Sequence, residues 1–182
     1  QMLVASYNGK VVRFPEDTVR PMGRTATGVR AIKLDEDGKD RVIGMICVEE
    51  GSKESVLVIS EKGFGKRTDL EDENGEPIYR VTNRGGKGVK TMNLTDKTGN
   101  LIGLEAVTDD QDLMLITKSG TAIRMAMDTI RVMGRATQGV KLIELQKRND
   151  TLMFGCTVPK EEAEEVVENT EATAEVNQNN EE

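Results

Sequence analysis

The sequence predicts an all-β, propeller-like array of three four-stranded blades followed by a disordered acidic tail. Three observations lead to this prediction: one motif occurs three times in 182 residues, a hairpin pattern precedes each copy, and glutamates gather at the C-terminal end. Four short strands per unit and a period near 55 residues are typical of blades arranged radially. We expect blades at residues 1–51, 52–110 and 111–158, and a tail at 159–182.

The repeated motif is Arg-x3-Arg-x3-Gly-Val followed by a basic residue. The first copy consists of Arg20, Arg24, Gly28, Val29 and Arg30. The second copy consists of Arg80, Arg84, Gly88, Val89 and Lys90, and the third of Arg131, Arg135, Gly139, Val140 and Lys141. Residues 17–29 and 128–140 are identical at most positions, so the repetition is not a chance match.

A β-hairpin is predicted before each motif. Asn8-Gly9 lies between two apolar runs, which predicts a type I′ turn, and Lys62-Gly63 and Ser119-Gly120 occupy the same place in the later copies. The first strand of the second copy, Val56–Ile59, is continuously apolar and is therefore expected to be buried on both faces. An arginine stands four residues after each turn glycine: Arg13, Arg67 and Arg124.

Two further strands are predicted after each hairpin. The third strands are expected at residues 29–34, 89–94 and 140–145, and the fourth at 42–48, 101–107 and 152–158. The pairing of the last strand stays open, because it is one residue short between Gly155 and Val158.

Composition excludes several classes of function. Histidine is absent, which rules out His-dependent triads and His metal sites, and two cysteines cannot form a zinc cluster. No segment approaches the roughly 20 apolar residues that a membrane-spanning helix needs. We therefore expect no catalytic residue, no metal, no cofactor and no membrane partner in this chain.

The net charge of −7 conceals a periodic distribution. Residues 159–182 hold nine Glu and one Lys, whereas the remaining 158 residues hold 24 basic and 23 acidic side chains. Within each repeat, the stretch from the turn glycine to the third strand is basic, and the stretches between are acidic. Radial stacking is expected to gather the basic parts into a continuous band.

The loop between second and third strands carries most of the repeated basic positions. It spans 14 residues in copies one and three and 20 in copy two, and loops this long are often functional. Arginine suits phosphate oxygens, and glycine lets the backbone approach an anion closely. Five aromatic residues are too few for a single-strand stacking platform, so duplex nucleic acid is the favoured partner. The alternative is that these arginines form ion pairs between blades in a protein-binding β-repeat scaffold.

The most basic loop contains Arg84-Gly85-Gly86-Lys87-Gly88. It lacks the Gly-x4-Gly-Lys-(Ser/Thr) spacing of a P-loop and leads into a predicted strand, so nucleotide binding is not expected. Together with the three Arg motifs, this loop resembles the C-terminal domain of the DNA gyrase A protein, over about residues 1–158. That family's box, Gln-Arg-Arg-Gly-Gly-Lys-Gly, has a partial counterpart here from Thr82 to Gly88, which includes Asn83.

The resemblance implies a β-pinwheel, usually of six blades that exchange strands, whose basic perimeter bends and wraps duplex DNA. It implies that this chain forms about the last three blades and that the catalytic tyrosine and ATP site lie elsewhere, so neither Tyr7 nor Tyr79 is catalytic. Implied partners are the gyrase B protein and a second copy of gyrase A, in the bacterial cytoplasm near the nucleoid. The DNA contacts it implies are Arg13, Arg20, Arg24, Arg30, Arg67, Arg80, Arg84, Lys87, Lys90, Arg124, Arg131, Arg135 and Lys141.

Two points stay open at this level. The corresponding protein of topoisomerase IV has a related but more degenerate pinwheel, and the regular spacing here favours gyrase. The acidic tail is either a solvated end or a competitor of DNA for the basic perimeter.

Overall fold

The computed structural model describes residues 1–36, 38–145 and 149–160. Within these ranges the chain forms eleven strands: β1 Met2–Ser6, β2 Lys10–Phe14, β3 Val42–Cys47, β4 Ser55–Ser60, β5 Phe64–Asp69, β6 Val89–Lys90, β7 Leu101–Val107, β8 Gln111–Thr117, β9 Ala122–Ala126, β10 Val140–Lys141 and β11 Leu152–Pro159. Single 3-10 turns occupy Glu16–Thr18 and Met127–Thr129. Within the described ranges no helix has the length and apolarity to cross a membrane. The predicted all-β class is confirmed.

The strands form three antiparallel sheets that exchange strands between repeats. Their orders are β3-β1-β2-β6, β10-β5-β4-β7 and β11-β8-β9. The third strand of the second repeat, β6, pairs with β2 of the first, and β10 of the third repeat pairs with β5 of the second. Each complete sheet therefore consists of three strands from one repeat and one from the next.

The core lies between the sheets, and β4 has a core on each side. Val56 and Val58 pack with residues of the first sheet, such as Leu3, whereas Leu57 packs with residues of the third, such as Leu113. All six residues of β4 are buried, as its continuous apolar run predicts. The fourth strands lie on the inside of the array, where β7 contacts both β3 and β11.

The hairpin turns differ from the predicted type. Gly9 has φ 82° and donates from its N–H to the Ser6 carbonyl oxygen at 3.0 Å. Among the described residues other than glycine, Asn149 alone has a positive φ, so Asn8 does not adopt the type I′ conformation. The three residues between β1 and β2 thus form a turn in which only the glycine is left-handed, and the type I′ prediction is wrong.

The third strands are shorter than expected, while the fourth strands share one register. The predicted third strands of the second and third repeats are reduced to the two-residue strands β6 and β10. In the first repeat, the predicted third strand forms a single bridge between Ile32 and Gly86. Each fourth strand has one extra, unpaired residue, a β-bulge, opposite the end of the first strand with which it pairs. This settles the pairing of β11, which runs antiparallel to β8 and ends at Pro159, one residue inside the predicted tail. Residues 161–182 of that tail lie outside the described ranges.

Candidate nucleic-acid interface

The hairpin arginines of the first two repeats lie inside the protein. Arg13 is 3% exposed and donates to the carbonyl oxygen of Tyr79 at 3.4 Å. Arg67 is 7% exposed, donates to the carbonyl oxygen of Ile130 at 2.9 Å and pairs with Asp109. Each guanidinium group therefore joins its repeat to the next one. In this position neither is available to a phosphate, and both join blades through hydrogen bonds to carbonyl oxygens instead of the ion pairs of the alternative interpretation.

The third hairpin arginine, Arg124, has a different environment from Arg13 and Arg67, because its hydrogen bonds to the described residues stay within its own repeat. Its side chain is 30% exposed and donates to Asp112 at 2.7 Å and to the Pro159 carbonyl oxygen at 2.8 Å. Both partners belong to the same sheet as Arg124. The arginine is thus held within its own blade and stays at the surface.

The other predicted contacts lie at the outer edge of the sheets, opposite the inner strands, on the loops or, for Lys90 and Lys141, on strands β6 and β10. These loops follow the second strand of each hairpin, and they lead into the exchanged strands β6 and β10. Arg135 is half-buried, and the remaining positions are exposed: Arg20, Arg24, Arg30, Arg80, Arg84, Lys87, Lys90, Arg131 and Lys141. The structure therefore presents the motif's basic residues to solvent along one edge.

Few of these side chains are neutralised by carboxylates. Lys141 pairs with Glu144 at 2.6 Å, an exposed pair of the kind that contributes at most about 1 kcal/mol. Within residues 1–36, 38–145 and 149–160, no ion pair involves Arg20, Arg24, Arg30, Arg80, Arg84, Lys87, Lys90, Arg131 or Arg135. Among the described residues, most basic side chains of the outer edge therefore have no carboxylate partner.

Hydrogen bonds connect the basic loops of successive repeats. Arg84 donates to the carbonyl oxygens of Thr18 at 3.1 Å and Arg30 at 3.5 Å. The equivalent residue one repeat later, Arg135, donates to the carbonyl oxygen of Lys90 at 2.6 Å. These contacts place each loop beside the preceding one, so the basic edge is continuous across the three repeats.

The box-like segment Asn83–Gly88 is fixed through its backbone. Gly85 N–H donates to the Ala31 carbonyl oxygen at 2.6 Å, and the Gly86 carbonyl oxygen accepts from Lys33 N–H at 2.8 Å. The side chains of Asn83, Arg84 and Lys87 remain exposed. Residues Arg80, Thr82, Asn83, Gly86, Lys87 and Gly88 line a cavity of about 290 Å³. The glycines thus hold the loop in place without covering its cations.

The motif glycines are required where a loop crosses the preceding blade. Gly88 and Gly139 have φ 70° and 80°, a region that favours glycine. A Cβ atom would lie 2.5 Å from the Val11 carbonyl oxygen at Gly88 and 2.7 Å from the Gly65 carbonyl oxygen at Gly139. At these two positions, the Gly-Val step of the motif brings a basic loop into direct contact with the neighbouring blade.

Sequence analysis missed two residues of β5 beneath the third loop. Lys66 is fully buried and donates to the carbonyl oxygens of Gly134 and Arg135, both at 2.6 Å. Burial, and secondarily the charge of Arg135, lowers the pKa of Lys66 to about 8. Thr68 is also buried and donates to the Met133 carbonyl oxygen at 3.0 Å. One feature of the sequence could have indicated Lys66: it occupies the hairpin position at which β2 and β9 have the apolar residues Val12 and Ile123.

Both tyrosines are held by neighbouring side chains. Tyr79 is fully buried with its hydroxyl 2.7 Å from Thr91 Oγ1, and burial raises the pKa of its phenol. Tyr7 donates to Glu61 at 2.9 Å and lies 3.8 Å beneath the Arg41 guanidinium. Each tyrosine therefore has a packing role.

Strand-exchanging sheets around shared cores, with a basic outer edge, define a β-pinwheel. A family model described as "DNA gyrase C-terminal domain, beta-propeller" matches residues 1–49, 54–108 and 111–154, and the chain belongs to this family. It is 41% identical to the DNA gyrase A protein of Staphylococcus aureus strain NCTC 8325 over 178 residues, which are 97% of this chain and 19% of that protein. Strain MRSA252 has a relative of the same name, also 41% identical, matched over 94% of this chain and 18% of its own length.

Two solved structures share the fold. A DNA gyrase A C-terminal domain superposes with a TM-score of 0.73 at 25% identity, covering 86% of this chain and 50% of that one. The C-terminal domain of a DNA topoisomerase IV superposes with a TM-score of 0.75 at 19% identity, covering 87% and 46%. The chain thus spans about a fifth of its curated relatives and about half of the solved domains. Both structures show the fold, and the 41% sequence identity assigns the chain to the gyrase side.

Proposed function

We propose that this chain binds, bends and wraps duplex DNA along its outer edge, as part of the C-terminal domain of a gyrase A protein. The observation that carries the proposal is the continuous row of basic side chains on loops that touch one another, most of them exposed and without an ion pair among the described residues. The row follows the outer edges of successive blades, and a duplex that contacts all three loops is proposed to bend around them. The contacts proposed are Arg20, Arg24, Arg30, Arg80, Arg84, Lys87, Lys90, Arg124, Arg131, Arg135 and Lys141.

The side chains on this edge suit a duplex better than a single strand. Of the five aromatic residues, Phe14, Phe64 and Tyr79 are buried, and Tyr7 is half-buried under Arg41. Phe154 is 54% exposed but lies on the inner strand β11, away from the basic loops. Without aromatic stacking partners, binding depends on phosphate charge and duplex shape, with weak sequence preference.

In the whole enzyme, this wrapping is proposed to present a DNA crossing for strand passage and so to support ATP-dependent negative supercoiling. The partners in that role are the gyrase B protein and a second copy of gyrase A, in the bacterial cytoplasm at the nucleoid. The chemistry itself is assigned to parts of the enzyme outside this chain.

Replacing three side chains of the basic edge tests binding. The variant Arg84→Ala/Lys87→Ala/Arg135→Ala is expected to bind a duplex at least 30-fold more weakly by fluorescence anisotropy, since each lost phosphate contact weakens binding severalfold. The control Lys53→Ala/Lys97→Ala/Lys118→Ala removes the same charge from exposed positions outside the basic loops and is expected to stay within about threefold. Equal losses in both variants would contradict a localised interface. No duplex binding by the wild type, with a sharply lower melting temperature in the first variant, would support the protein-binding scaffold.

Wrapping requires a separate measurement. A relaxed plasmid is incubated with the chain, treated with a type I topoisomerase and deproteinised, and its linking number is compared with that of a sample without the chain. A shift proportional to bound protein is expected for the wild type and is expected to disappear for the triple variant. Tight binding without any shift would limit the function to binding.

A further inference from the structure

Lys66 is a fully buried lysine in the middle of β5. It lies opposite Val58 of β4 in the strand register, and the equivalent positions in the other two hairpins are Val12 and Ile123. A lysine in the interior has a desolvation cost, and it is tolerated only where its ammonium group finds hydrogen-bond acceptors. The acceptors show what this lysine does.

Those acceptors all belong to the basic loop of the third repeat. The Lys66 ammonium donates to the carbonyl oxygens of Gly134 and Arg135 at 2.6 Å, and Thr68 donates to that of Met133 at 3.0 Å. Three consecutive peptide carbonyls are thus held by two side chains of the preceding blade. The loop backbone is held as well, because Met133 N–H donates to the Arg67 carbonyl oxygen at 2.8 Å.

The loop of the second repeat has no such anchor. The residues of β2 that correspond to Lys66 and Thr68 are Val12 and Phe14, which carry no hydrogen-bond donor in their side chains. That loop is instead tied at its tip, where Gly85 N–H donates to the Ala31 carbonyl oxygen. The anchor under the third loop is therefore specific to one junction and is not a general requirement of the fold.

We propose that Lys66, assisted by Thr68, is a positioning residue that fixes the third basic loop so that Arg131 and Arg135 are already in place to meet duplex phosphate. This inference rests on the proposed function of the basic edge. A loop that is ordered before binding loses less conformational entropy when DNA arrives, so affinity rises without a new contact. The anchored carbonyls directly precede and include Arg135, whose side chain reaches Lys90 at 2.6 Å on the neighbouring loop.

The variant Lys66→Met tests the proposal, because methionine fills similar volume without donating. We expect duplex affinity about tenfold lower and faster amide hydrogen exchange across residues 133–138. The control Lys62→Met removes one positive charge from the same hairpin, at a residue whose ammonium bonds to the Asp96 carbonyl oxygen instead of the loop. We expect that control to bind within about twofold of wild type.

The outcomes separate the alternatives. Wild-type affinity in Lys66→Met, or an equal loss in Lys62→Met, overturns the proposal, since the first shows no positioning and the second shows a pure charge effect. If Lys66→Met unfolds, Thr68→Val decides: it removes only a hydroxyl and is expected to weaken binding about two- to threefold and to speed exchange at residues 133–138, and no change in either measurement overturns the proposal. If wild type fails to bind duplex, the proposed function fails, whereas the exchange measurement still reports whether Lys66 orders the loop.

Discussion

The junction between the first two blades and the junction between the last two use the same backbone frame but different side-chain anchors. In both, a buried hairpin arginine donates to a carbonyl oxygen of the next repeat, Arg13 to Tyr79 and Arg67 to Ile130. In both, a glycine at the loop exit touches the preceding blade. Only the second junction adds a lysine and a threonine beneath the loop.

This difference distinguishes residues that hold neighbouring blades together from residues that only hold a basic loop in position. The arginine and the glycine hold one blade to the next at both junctions. The residues under the loop vary because they set only how firmly a basic loop is held. Mutations in the two groups should therefore have different consequences, the first for stability and the second for binding.

The largest effect is expected from the shared frame. Arg67→Met leaves the Ile130 carbonyl oxygen and the Asp109 carboxylate without their partner, so the free energy of unfolding should fall by about 2–3 kcal/mol. Arg124→Met is the matched control, because Arg124 bonds within its own sheet and, among the described residues, not to another blade, and a fall of about 0.5 kcal/mol is expected. Urea denaturation followed by circular dichroism measures both. Equal losses of unfolding free energy in the two variants would show that the interblade hydrogen bond of Arg67 adds no stability beyond that of the contacts of Arg124.

A smaller effect is expected at the loop exit. Gly139→Ala forces a side chain into a left-handed residue and places Cβ 2.7 Å from the Gly65 carbonyl oxygen, which should reduce stability by about 2 kcal/mol. Gly28→Ala has the same positive φ but nothing within 4 Å, so a loss of about 1 kcal/mol is expected. Thermal melting of the two variants measures the contribution of the close approach. Identical melting temperatures would contradict it.

The smallest effect is a pH dependence confined to the second junction. The pKa of Lys66 is lowered from the ordinary lysine value of 10.5 to about 8 in the folded chain. Between pH 8 and pH 10.5, the unfolded chain therefore binds more protons than the folded one. The free energy of unfolding of wild type should therefore rise, relative to Lys66→Met, by about 1 kcal/mol between about pH 7 and pH 9. Urea titrations of both proteins at the two pH values measure the difference, in which other titrating groups cancel. A constant difference would contradict a buried, charged lysine.

Many of the strands are predictable from the sequence, because they depend on the pattern of neighbouring residues along the chain. Strand β7 begins and ends as predicted, and the apolar run of β4 correctly indicates burial on both faces. The turn type was wrong because the Asn-Gly pair does not reveal that the hairpin loop contains a third residue. The third strands shorten to two residues because each pairs with the neighbouring repeat, which no local pattern reveals.

The exposed basic edge could be predicted from the motif, whereas the burial of the hairpin arginines Arg13 and Arg67 could not. Arg13 alternates with apolar neighbours in β2 as a surface residue would, but its partner Tyr79 lies 66 residues further along the chain. Lys66 was missed for the same reason, since its acceptors come from the next repeat. Long-range carbonyl acceptors are invisible to composition and periodicity.

The salt dependence of duplex binding tests the central claim most directly, because it counts the phosphates that the basic edge neutralises. With about six phosphate contacts, the logarithm of the association constant should fall against the logarithm of salt concentration with a slope of roughly −5. The slope of the Arg84→Ala/Lys87→Ala/Arg135→Ala variant should be shallower by about 3, one unit for each contact removed. A flat response in wild type, or the same slope in both proteins, would contradict a DNA-wrapping edge built from these loops.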